Sequence, residues 1–581
     1  MSNKLLDYRV PSVAPPRSSA RTIIYSFLIL CATLAPAFWA GVLRFDAPYR
    51  TSFVAAPSCK VPLPNLLAYS PPTGDEAVTQ EASLLLDAYL TERSAHDDID
   101  SMTVAIVTPR GTVFERAYGS LRANESEPDK YGPVDSDSVY RVASITKMFT
   151  VLETLILRER GVLNWDDPVT KFLPNFTYSG ASWSEHLGGQ ADSTQPQGPI
   201  TMRQLASHMS GLGRDYPVQN VPNWPAEIPG SYGFRERPRE EVLKAISDLP
   251  LVVPQYEYPV YSNAGMDILG IANVEANKLS SDTPDDEPQS HKELIQRDIL
   301  HPLGLNSSFY VVPSPDIAAH IAVPRKDSEW ADIVFGDTDD PAGGQFSSLR
   351  DLTTLMKTFL SPTAAGGLIS RYVVREWLRP LHPWRDGMNE VGAPWEIRKL
   401  SNEMRMYAKG GNLPGYHSQF TLIPEQAFGV ILLLAGEYTD TVSLTDVAVA
   451  RFAPAFAALQ TEAAAHAYAG MWRGDSAVVI VAVRDGMLYV DLLVVRGVDV
   501  LEAAGAGPGR PVALWSTGRK DEFRLGVGRA ELNDVPIAGC EPYWISMDVY
   551  GYQSRGAPLD LVYFEDDQLM YPAAGVQLKR L

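Results

Sequence analysis

The sequence has few cysteines and a deficit of positive charge. Three cysteines occur among 581 residues, and 50 Lys and Arg stand against 70 Asp and Glu, which gives a formal net charge of -20. A chain this negative repels phosphate backbones and releases few counterions on binding them. We therefore expect no nucleic-acid partner.

Long apolar runs are also scarce, and the most prominent one lies near the N-terminus. The run 22–43 contains no charged residue and is long enough, at about 1.5 Å per residue, to cross a bilayer core. It predicts a transmembrane helix that keeps the N-terminus inside and places the rest of the chain in the lumen or outside the cell. The alternative is a cleaved signal peptide, because Ala35, Pro36 and Ala37 supply the small residues of a cleavage site.

Composition and periodicity divide the chain into five segments. These are a tail (1–21), the transmembrane helix (22–43), a proline-rich linker (44–73), a large body (74–460) and a small antiparallel β domain (468–581). In the large body, helical periods lie between a hairpin near its start and strands near 404–408 and 420–434, which predicts an α+β fold. The β domain follows from two apolar runs that flank Arg484, Asp485 and Gly486, a turn sequence.

Ser144-Ile145-Thr146-Lys147 opens a predicted helix that ends near Arg160. The i, i+3 spacing puts the serine hydroxyl and the lysine amine on one helix face. Burial at a helix N-terminus disfavours the charged lysine, so that it can hold or accept a proton, while the helix amides favour an oxyanion nearby. The pattern predicts an activated serine, although a capping serine with a surface lysine has the same spacing.

Two further motifs follow in a fixed order. Tyr261-Ser262-Asn263 lies at the start of another predicted helix, and Lys409-Gly410-Gly411 lies at the end of a predicted strand. Together with the serine motif they resemble the SxxK, YxN and KTG or HxG motifs of the serine β-lactamase, DD-peptidase and esterase superfamily. Phrases such as VYRVASITKMFT, ITMRQLASHMSGL and LGLNSSF resemble that superfamily as well, over about residues 77–434.

The resemblance implies a fold for each part of the chain. Residues 74–460 are expected to form a β-lactamase/transpeptidase-like catalytic domain, with an antiparallel sheet and a helical region. Residues 468–581 resemble the small β domain that follows the catalytic domain in fungal β-lactamase-like proteins. The expected partner is a small-molecule acyl substrate, and this machinery requires neither a metal nor a cofactor.

The resemblance also implies a role for each motif residue. Ser144 is expected to attack an acyl carbonyl, while Tyr261, as a phenolate or as a relay with Lys147, takes the serine proton. Asn263 is expected to orient the substrate or Lys147, and Lys409 to lower the pKa of Tyr261 by its charge.

Backbone groups and histidines complete the expected site. The amides of Ser144 and Asn412 are expected to form the oxyanion hole. His208 and His417 are expected to be structural, because this chemistry needs no histidine. Position 410 is glycine where penicillin-recognising enzymes carry a hydroxyl that meets the substrate carboxylate, which speaks against antibiotic or D-Ala-D-Ala recognition.

The motifs favour hydrolysis of an ester or amide through an acyl-enzyme. An acyltransferase of secondary metabolism would use the same nucleophile and differ only in the acceptor. A non-catalytic binding protein that retains the fold is the third alternative, but it has no physical need of the complete motif set.

The remaining predictions concern covalent modification. Cys59 and Cys540 are the two cysteines outside the apolar run, and an oxidising compartment would pair them, although two free thiols are equally compatible with the sequence. Asn124, Asn175 and Asn306 lie in glycosylation triplets, which fit a lumenal domain of a eukaryotic protein.

Overall fold

Antiparallel strands form the centre of the larger domain in this computed structural model. The structure describes residues 59–190, 198–226, 235, 237–363, 367–400, 404–527, 543–544, 547–548 and 551–581. In chain order the strands of this domain are β1 (Ile99–Val107), β2 (Thr112–Gly119), β3 (Val139–Arg141), β4 (Phe346–Ser348), β5 (His382–Pro383), β6 (Asn389–Val391), β7 (Glu396–Lys399), β8 (Arg405–Leu413), β9 (Tyr416–Ile423) and β10 (Phe428–Gly436). Eight of them make one sheet in the order β2-β1-β10-β9-β8-β7-β6-β5, and β3 pairs with β4.

Helices occupy the long connections of this sheet. In chain order they are α1 (Leu66–Tyr69), α2 (Ala77–Ser94), α3 (Thr146–Glu159), α4 (Trp183–His186), α5 (Met202–Ala206), α6 (Arg239–Asp248), α7 (Asn263–Leu279), α8 (His291–Ile295), α9 (His301–Leu303), α10 (Pro315–Ala318), α11 (Asp340–Gly343), α12 (Leu349–Leu360), α13 (Arg371–Trp377) and α14 (Thr441–Tyr468). Between α8 and α9 the chain forms a π-helical turn, Gln296–Leu300.

Strand β10 explains how the two sides of the sheet are covered. Every residue of β10 is buried, and successive side chains point to opposite faces. Leu432 and Leu434 join a core with α2 and α14, whereas Ile431 and Leu433 join the larger core with α3, α7 and α12. The large body is therefore an α+β domain in which helices pack on both faces of an antiparallel sheet, as the sequence predicts.

The strand predicted over 420–434 is two strands in the structure. Its turn is the short segment Pro424–Gln426, followed by Ala427 at a φ of 52°. Because both faces of the sheet are covered, β9 and β10 are buried throughout and lack the alternation of buried and exposed residues that marks separate strands. The neighbouring strand is also longer than predicted, since β8 continues to Leu413.

The C-terminal residues form a closed antiparallel barrel, which confirms the predicted small β domain. Its strands are β11 (Gly470–Gly474), β12 (Ala477–Arg484), β13 (Met487–Val495), β14 (Val498–Asp499), β15 (Val512–Ser516), β16 (Glu522–Leu525), β19 (Leu561–Glu565), β20 (Gln568–Tyr571) and β21 (Val576–Arg580), while β17 (Gln553–Ser554) and β18 (Ala557–Pro558) form a separate pair and α15 (Val500–Ala503) follows β14. The sheet order is β12-β11-β21-β20-β19-β16-β15-β13-β14, and pairing of β12 with β13 closes it. Alternate side chains such as Val479, Val481 and Phe523 fill the interior.

Two segments near the domain junction differ from their predictions. The predicted linker is ordered at its end, because α1 lies within it and Leu63 and Leu66 pack on the barrel core. The predicted end of the large body at residue 460 lies inside α14, which runs to Tyr468 and connects the sheet to the barrel. The proline content of the linker hides its short helix.

Within the part of the chain that the structure describes, α14 is the helix whose length and composition would allow a membrane span. Leu444, Phe452 and Phe456 of α14 lie in the core against the sheet. It therefore serves as a core helix in this domain. The segment 22–43 lies outside the described residues, and its role as a transmembrane helix stays a prediction.

Candidate active site

Ser144 lies in a tight turn between β3 and α3. The turn Ala143–Ile145 is a 3₁₀ segment that runs directly into the helix. Ala143 has a φ of 48°, a left-handed conformation that is strained for a residue with a Cβ. Ser144 lines a cavity, whereas its two neighbours in the turn are buried.

Lys147 lies on the first turn of α3 and is fully buried. Its Nζ is 2.9 Å from Ser144 Oγ, 2.8 Å from Asn263 Oδ1 and 2.6 Å from the carbonyl oxygen of Ala342. Burial lowers the pKa of Lys147, because a low-dielectric environment disfavours its charge. Two of its N–H groups thus donate to oxygens that can only accept, those of Asn263 and Ala342. The third N–H group points toward the serine hydroxyl.

The second motif is built around the start of α7. Ser262 caps this helix, since its hydroxyl accepts a backbone N–H of the first turn and donates to Gly213 O at 2.7 Å. The cap places Asn263 at the first helical position, where its Nδ2 donates to Asp215 Oδ1 at 2.9 Å. Tyr261 precedes the cap, and Ser144 is among the neighbours that lower its pKa.

Lys409 lies in the middle of β8, not at the end of a strand as the sequence predicted. Its Nζ donates to Glu396 Oε1 at 2.6 Å and to the carbonyl oxygen of Gly410 at 2.7 Å. Burial opposes the charge of Lys409, but Glu396 and Tyr261 outweigh it and raise the pKa of Lys409. The ammonium form is therefore held in place on the sheet, beside Glu396 of β7.

Tyr261 lies between the two lysines. Its ring centre is 5.0 Å from the Nζ of Lys147 and 5.1 Å from the Nζ of Lys409. Burial raises the pKa of Tyr261, but the two ammonium charges and the hydrogen bond with Ser144 outweigh burial and lower this pKa to about 8. A phenolate is thus accessible near neutral pH.

His208 supports Tyr261 from behind. The two rings stack with centroids 4.6 Å apart and planes inclined by 28°. His208 Nδ1 accepts the backbone N–H of Ser262 at 3.2 Å. Burial lowers the pKa of His208 well below its usual range, so the ring is neutral and packs against the phenol.

Strand β8 turns a backbone amide toward the cavity. In an antiparallel pair, successive residues point their amides alternately toward the partner strand and away from it. The N–H of Gly410 points away from β9, because it donates to Glu396 Oε2 at 3.2 Å. The N–H of Asn412 points to the same side, because Asn412 is two residues further along β8. Strand β7 does not cover this N–H, since the pairing of β7 with β8 reaches only as far as Ala408. Asn412 and Ser144 line one cavity, as an oxyanion hole requires.

The two glycines of the third motif serve different purposes. A Cβ on Gly411 would lie 2.3 Å from the carbonyl oxygen of Val142 and 2.9 Å from the backbone nitrogen of Ser144, so β8 can approach the nucleophile turn only with glycine there. A Cβ on Gly410 would meet the end of the Gln419 side chain, 2.9 Å away. Gln419 thus fills space beside the position where related enzymes carry a hydroxyl.

The cavity beside Ser144 has a volume of about 180 Å³ and two unlike ends. Trp330 and Phe335 line an aromatic end, whereas Arg214, Asp215, Arg237 and Asp339 line an ionic one. The guanidinium of Arg214 lies 5.0 Å from the Tyr261 ring centre. Neither this set nor Glu396 was identified from the sequence. Only Arg214 and Asp215 carry a signal, because they lie just after the SHMSGL phrase, separated from it by Gly213.

The other predicted residues lie away from this cavity. Asn124, Asn175 and Asn306 are all exposed, so glycosylation at these positions stays a prediction. Cys59 is disulfide-bonded, whereas Cys540 lies outside the described residues, and their pairing stays a prediction. Among the residues that the structure describes, no group of three or more His, Cys, Asp or Glu side chains is arranged to hold a metal ion.

Comparison with known proteins places these residues in a known family. The family described as Beta-lactamase matches residues 86–453. "Beta-lactamase-like protein str6" of Strobilurus tenacellus is 39% identical over 312 residues, which cover 50% of this chain and 99% of that protein. "Beta-lactamase-like protein str5" of the same organism is 41% identical over 272 residues, covering 45% and 91%.

A solved structure and a human protein show more distant similarity. The Beta-lactamase/D-alanine carboxypeptidase from Yersinia pestis complexed with citrate has a TM-score of 0.49 and 20% identity, covering 65% of this chain and 99% of that one. "Putative beta-lactamase-like 1" of Homo sapiens is 26% identical over 374 residues, covering 62% and 66%. The family match spans more than half of the chain and contains all three motifs. The chain belongs to the β-lactamase family, whose members are typically serine hydrolases or acyltransferases.

Proposed function

We propose that this protein is a serine hydrolase that cleaves an ester or amide through an acyl-enzyme on Ser144. The observation that carries the proposal is the position of the Ser144 hydroxyl, which lies 2.9 Å from Lys147 Nζ, itself 5.0 Å from the ring centre of Tyr261. A base with a pKa of about 8 thus lies beside the nucleophile.

Acylation begins when Tyr261, as phenolate, takes the proton of Ser144 while Oγ attacks the acyl carbonyl carbon. The carbonyl oxygen becomes an oxyanion that the amides of Ser144 and Asn412 stabilise. Collapse of this intermediate breaks the bond to the leaving group, which takes its proton from Tyr261. Lys409 remains charged and compensates the phenolate, while Lys147, whose ammonium form also stabilises the phenolate, can exchange a proton along the same path because burial lowers its pKa.

Deacylation repeats the same proton path with water as the nucleophile. Tyr261 takes a proton from water, hydroxide adds to the acyl carbonyl, and Ser144 leaves with the proton returned to it. An acyl acceptor in place of water would give an ester or amide product by the same steps. The glycine at position 410, with Gln419 beside it, favours substrates without a carboxylate next to the scissile bond over penicillins.

The test is to trap the acyl-enzyme. Purified protein is treated with a fluorophosphonate and with a panel of esters and lactams, with and without a nucleophilic acceptor, and the modified peptide is identified by mass spectrometry. We expect the adduct on Ser144 and turnover of esters before lactams. An adduct on another residue would reject the proposal, and a product that appears only with the acceptor would identify a transferase.

We also propose that residues 22–43 anchor the enzyme, with its catalytic domain in the lumen or outside the cell. The charge-free run and the disulfide-bonded Cys59 shortly after it support this topology. N-terminal sequencing of the mature protein tests it. A sequence that starts near Phe38 would instead establish a cleaved signal peptide.

A further inference from the structure

A second cavity lies between the sheet domain and the barrel. Its volume is about 340 Å³, and it shares no lining residue with the cavity beside Ser144. It lies within one compact unit of the chain, residues 61–527 and 547–581. Its walls are α1, α13, the end of α14 at Tyr468 and the loop 516–521 that joins β15 to β16.

Three arginines in or just after α13 line this cavity. Arg371, Arg375 and Arg379 are spaced four residues apart, which places Arg371 and Arg375 on the same face of α13 and continues the row beyond its end. Arg371 is fixed by a bond from its Nη1 to the carbonyl oxygen of Phe359 at 2.9 Å. Across the cavity lie Arg519, which pairs with Glu522, and Lys520, whose Nζ is 3.9 Å from Asp521 Oδ2.

None of the three arginines is paired with a carboxylate in the described part of the chain. Within the described part of the chain, none of the three has a carboxylate within 4.0 Å, although acidic residues outnumber basic ones by 70 to 50. The carboxylates that do line the cavity are Glu425 and Asp521, and Asp521 accepts the Tyr468 hydroxyl at 2.7 Å. Like charges four residues apart repel, and burial together with the charge of Arg375 lowers the pKa of Arg371.

The floor of the cavity is apolar. It is formed by aliphatic and aromatic side chains that include Leu66, Ala68, Phe359, Leu360, Val374 and Leu378. Guanidinium groups suit planar or tetrahedral oxyanions, because they present several N–H donors in a fixed fork. The volume lies at the small end of the range for ligand pockets, roughly 300 to 1,000 Å³, and suits one short chain.

We propose that this cavity binds a small amphipathic anion, with its carboxylate or phosphate head on Arg371, Arg375 and Arg379 and its apolar body on the floor. The anion is either a free molecule or the head of a membrane lipid whose bilayer lies against this side. The site is independent of the reaction at Ser144.

Protection of arginines from phenylglyoxal tests the proposal. The full-length protein, in phosphatidylcholine nanodiscs, is modified with and without octanoate, and each arginine is quantified by peptide mass spectrometry. Octanamide is the neutral control, and nanodiscs that contain phosphatidylglycerol test the lipid head as the source. Arg451 and Arg473 are matched controls, because both are exposed and lie outside the cavity.

We expect octanoate to slow modification of Arg375 and Arg379 at least fivefold and to leave Arg451 and Arg473 unchanged, with no effect of octanamide. Slowing by phosphatidylglycerol nanodiscs alone would identify the lipid head as the anion. Equal protection of all four arginines, equal effects of octanoate and octanamide, or no protection in any arm would overturn the proposal.

A second measurement uses variants. The pair Arg375→Gln and Arg379→Gln should weaken octanoate binding in calorimetry at least tenfold, whereas Arg451→Gln with Arg473→Gln, which removes the same charge, should not. Both pairs should retain fluorophosphonate labelling of Ser144, which reports a folded domain. Unchanged binding in the first pair would overturn the proposal.

Discussion

The two lysines of the active site differ in their surroundings although both are almost completely buried. Lys147 lies on a helix among neutral acceptors, and burial lowers its pKa. Lys409 lies on strand β8, where Glu396 of β7 accepts its hydrogen bond and its pKa is raised. The helix side therefore provides an amine that exchanges a proton easily, and the strand side provides a permanent charge.

Tyr261 lies between these two sides and combines their effects. Burial on its own would keep the phenol protonated, whereas the two nearby ammonium groups lower its pKa to about 8. The pKa values of two buried lysines in one small site are therefore shifted in opposite directions, because the partners of the two lysines differ. Substitutions of Lys147 and of Lys409 should therefore change the activity in different ways as well as by different amounts.

Removing the nucleophile common to both sides should have the largest effect. Ser144→Ala should lower kcat/KM by about 10⁴-fold or more and abolish fluorophosphonate labelling, because no other group on the proton path forms the acyl bond. The circular dichroism spectrum and thermal midpoint should remain close to those of the parent protein, since Ser144 is partly exposed. Labelling that persists in this variant would place the nucleophile elsewhere.

The helix side should show a shared proton path. Tyr261→Phe and Lys147→Ala should each lower kcat/KM by about 10²- to 10⁴-fold, the range for losing general-base catalysis. The double variant should be little worse than either single variant, because both changes interrupt one path. Losses that multiply in the double variant would mean that Lys147 acts alone as the base.

The sequence predicts these motif residues because each motif is local. Ser144 and Lys147 are one helical turn apart, and Tyr261 and Asn263 flank the serine that caps α7. The partners of these residues come from other elements and carry no local signal. Glu396 lies on a short strand, and His208 stacks on Tyr261 across the site, so neither contact can be read from spacing.

The fold follows the sequence where apolar periodicity is distinct. The helices α3 and α7 and the hairpin of β12 and β13 lie where their patterns predict them. Prediction was wrong where burial removes the pattern, as at the turn Pro424–Gln426 between two fully buried strands. Closure of the barrel requires that β12 pairs with β13 and that strands far apart in the sequence, such as β11 and β21, also pair. Strand patterns alone do not specify these pairings.

Strand β8 approaches the nucleophile turn most closely at Gly411. A methyl group at this position should push β8 away from Ser144. Gly411→Ala would meet the carbonyl oxygen of Val142 and the nitrogen of Ser144, so we expect a loss of about 10²- to 10³-fold in labelling rate, comparable to the loss of an oxyanion donor. Gly410→Ala is the matched control, because it meets only the flexible end of Gln419. Equal losses in the two variants would contradict this account of β8.

Removal of the strand-side charge should change pH dependence rather than abolish activity. With a phenolate as base, kcat/KM rises as pH increases through the pKa of Tyr261, about 8. Lys409→Met removes a charge that favours the phenolate, so this rise should move to higher pH and cost about tenfold to 100-fold at pH 7. The pH profile from 6 to 10 measures it, and a loss that is the same at every pH would indicate a different role for Lys409.

The smallest effect, and one of opposite sign, is expected from the carboxylate that partners Lys409. The charge of Glu396 raises the pKa of Tyr261, so Glu396→Gln should move the pH profile to lower pH, by about 0.3 pH unit because the side chain is half exposed. Glu437→Gln is the matched control, since Glu437 is a half-exposed glutamate paired with Lys326 outside the site. If the profile of Glu396→Gln moves to higher pH instead, then Lys409 needs Glu396 to keep its proton, and the charge on the strand side belongs to the pair rather than to the lysine.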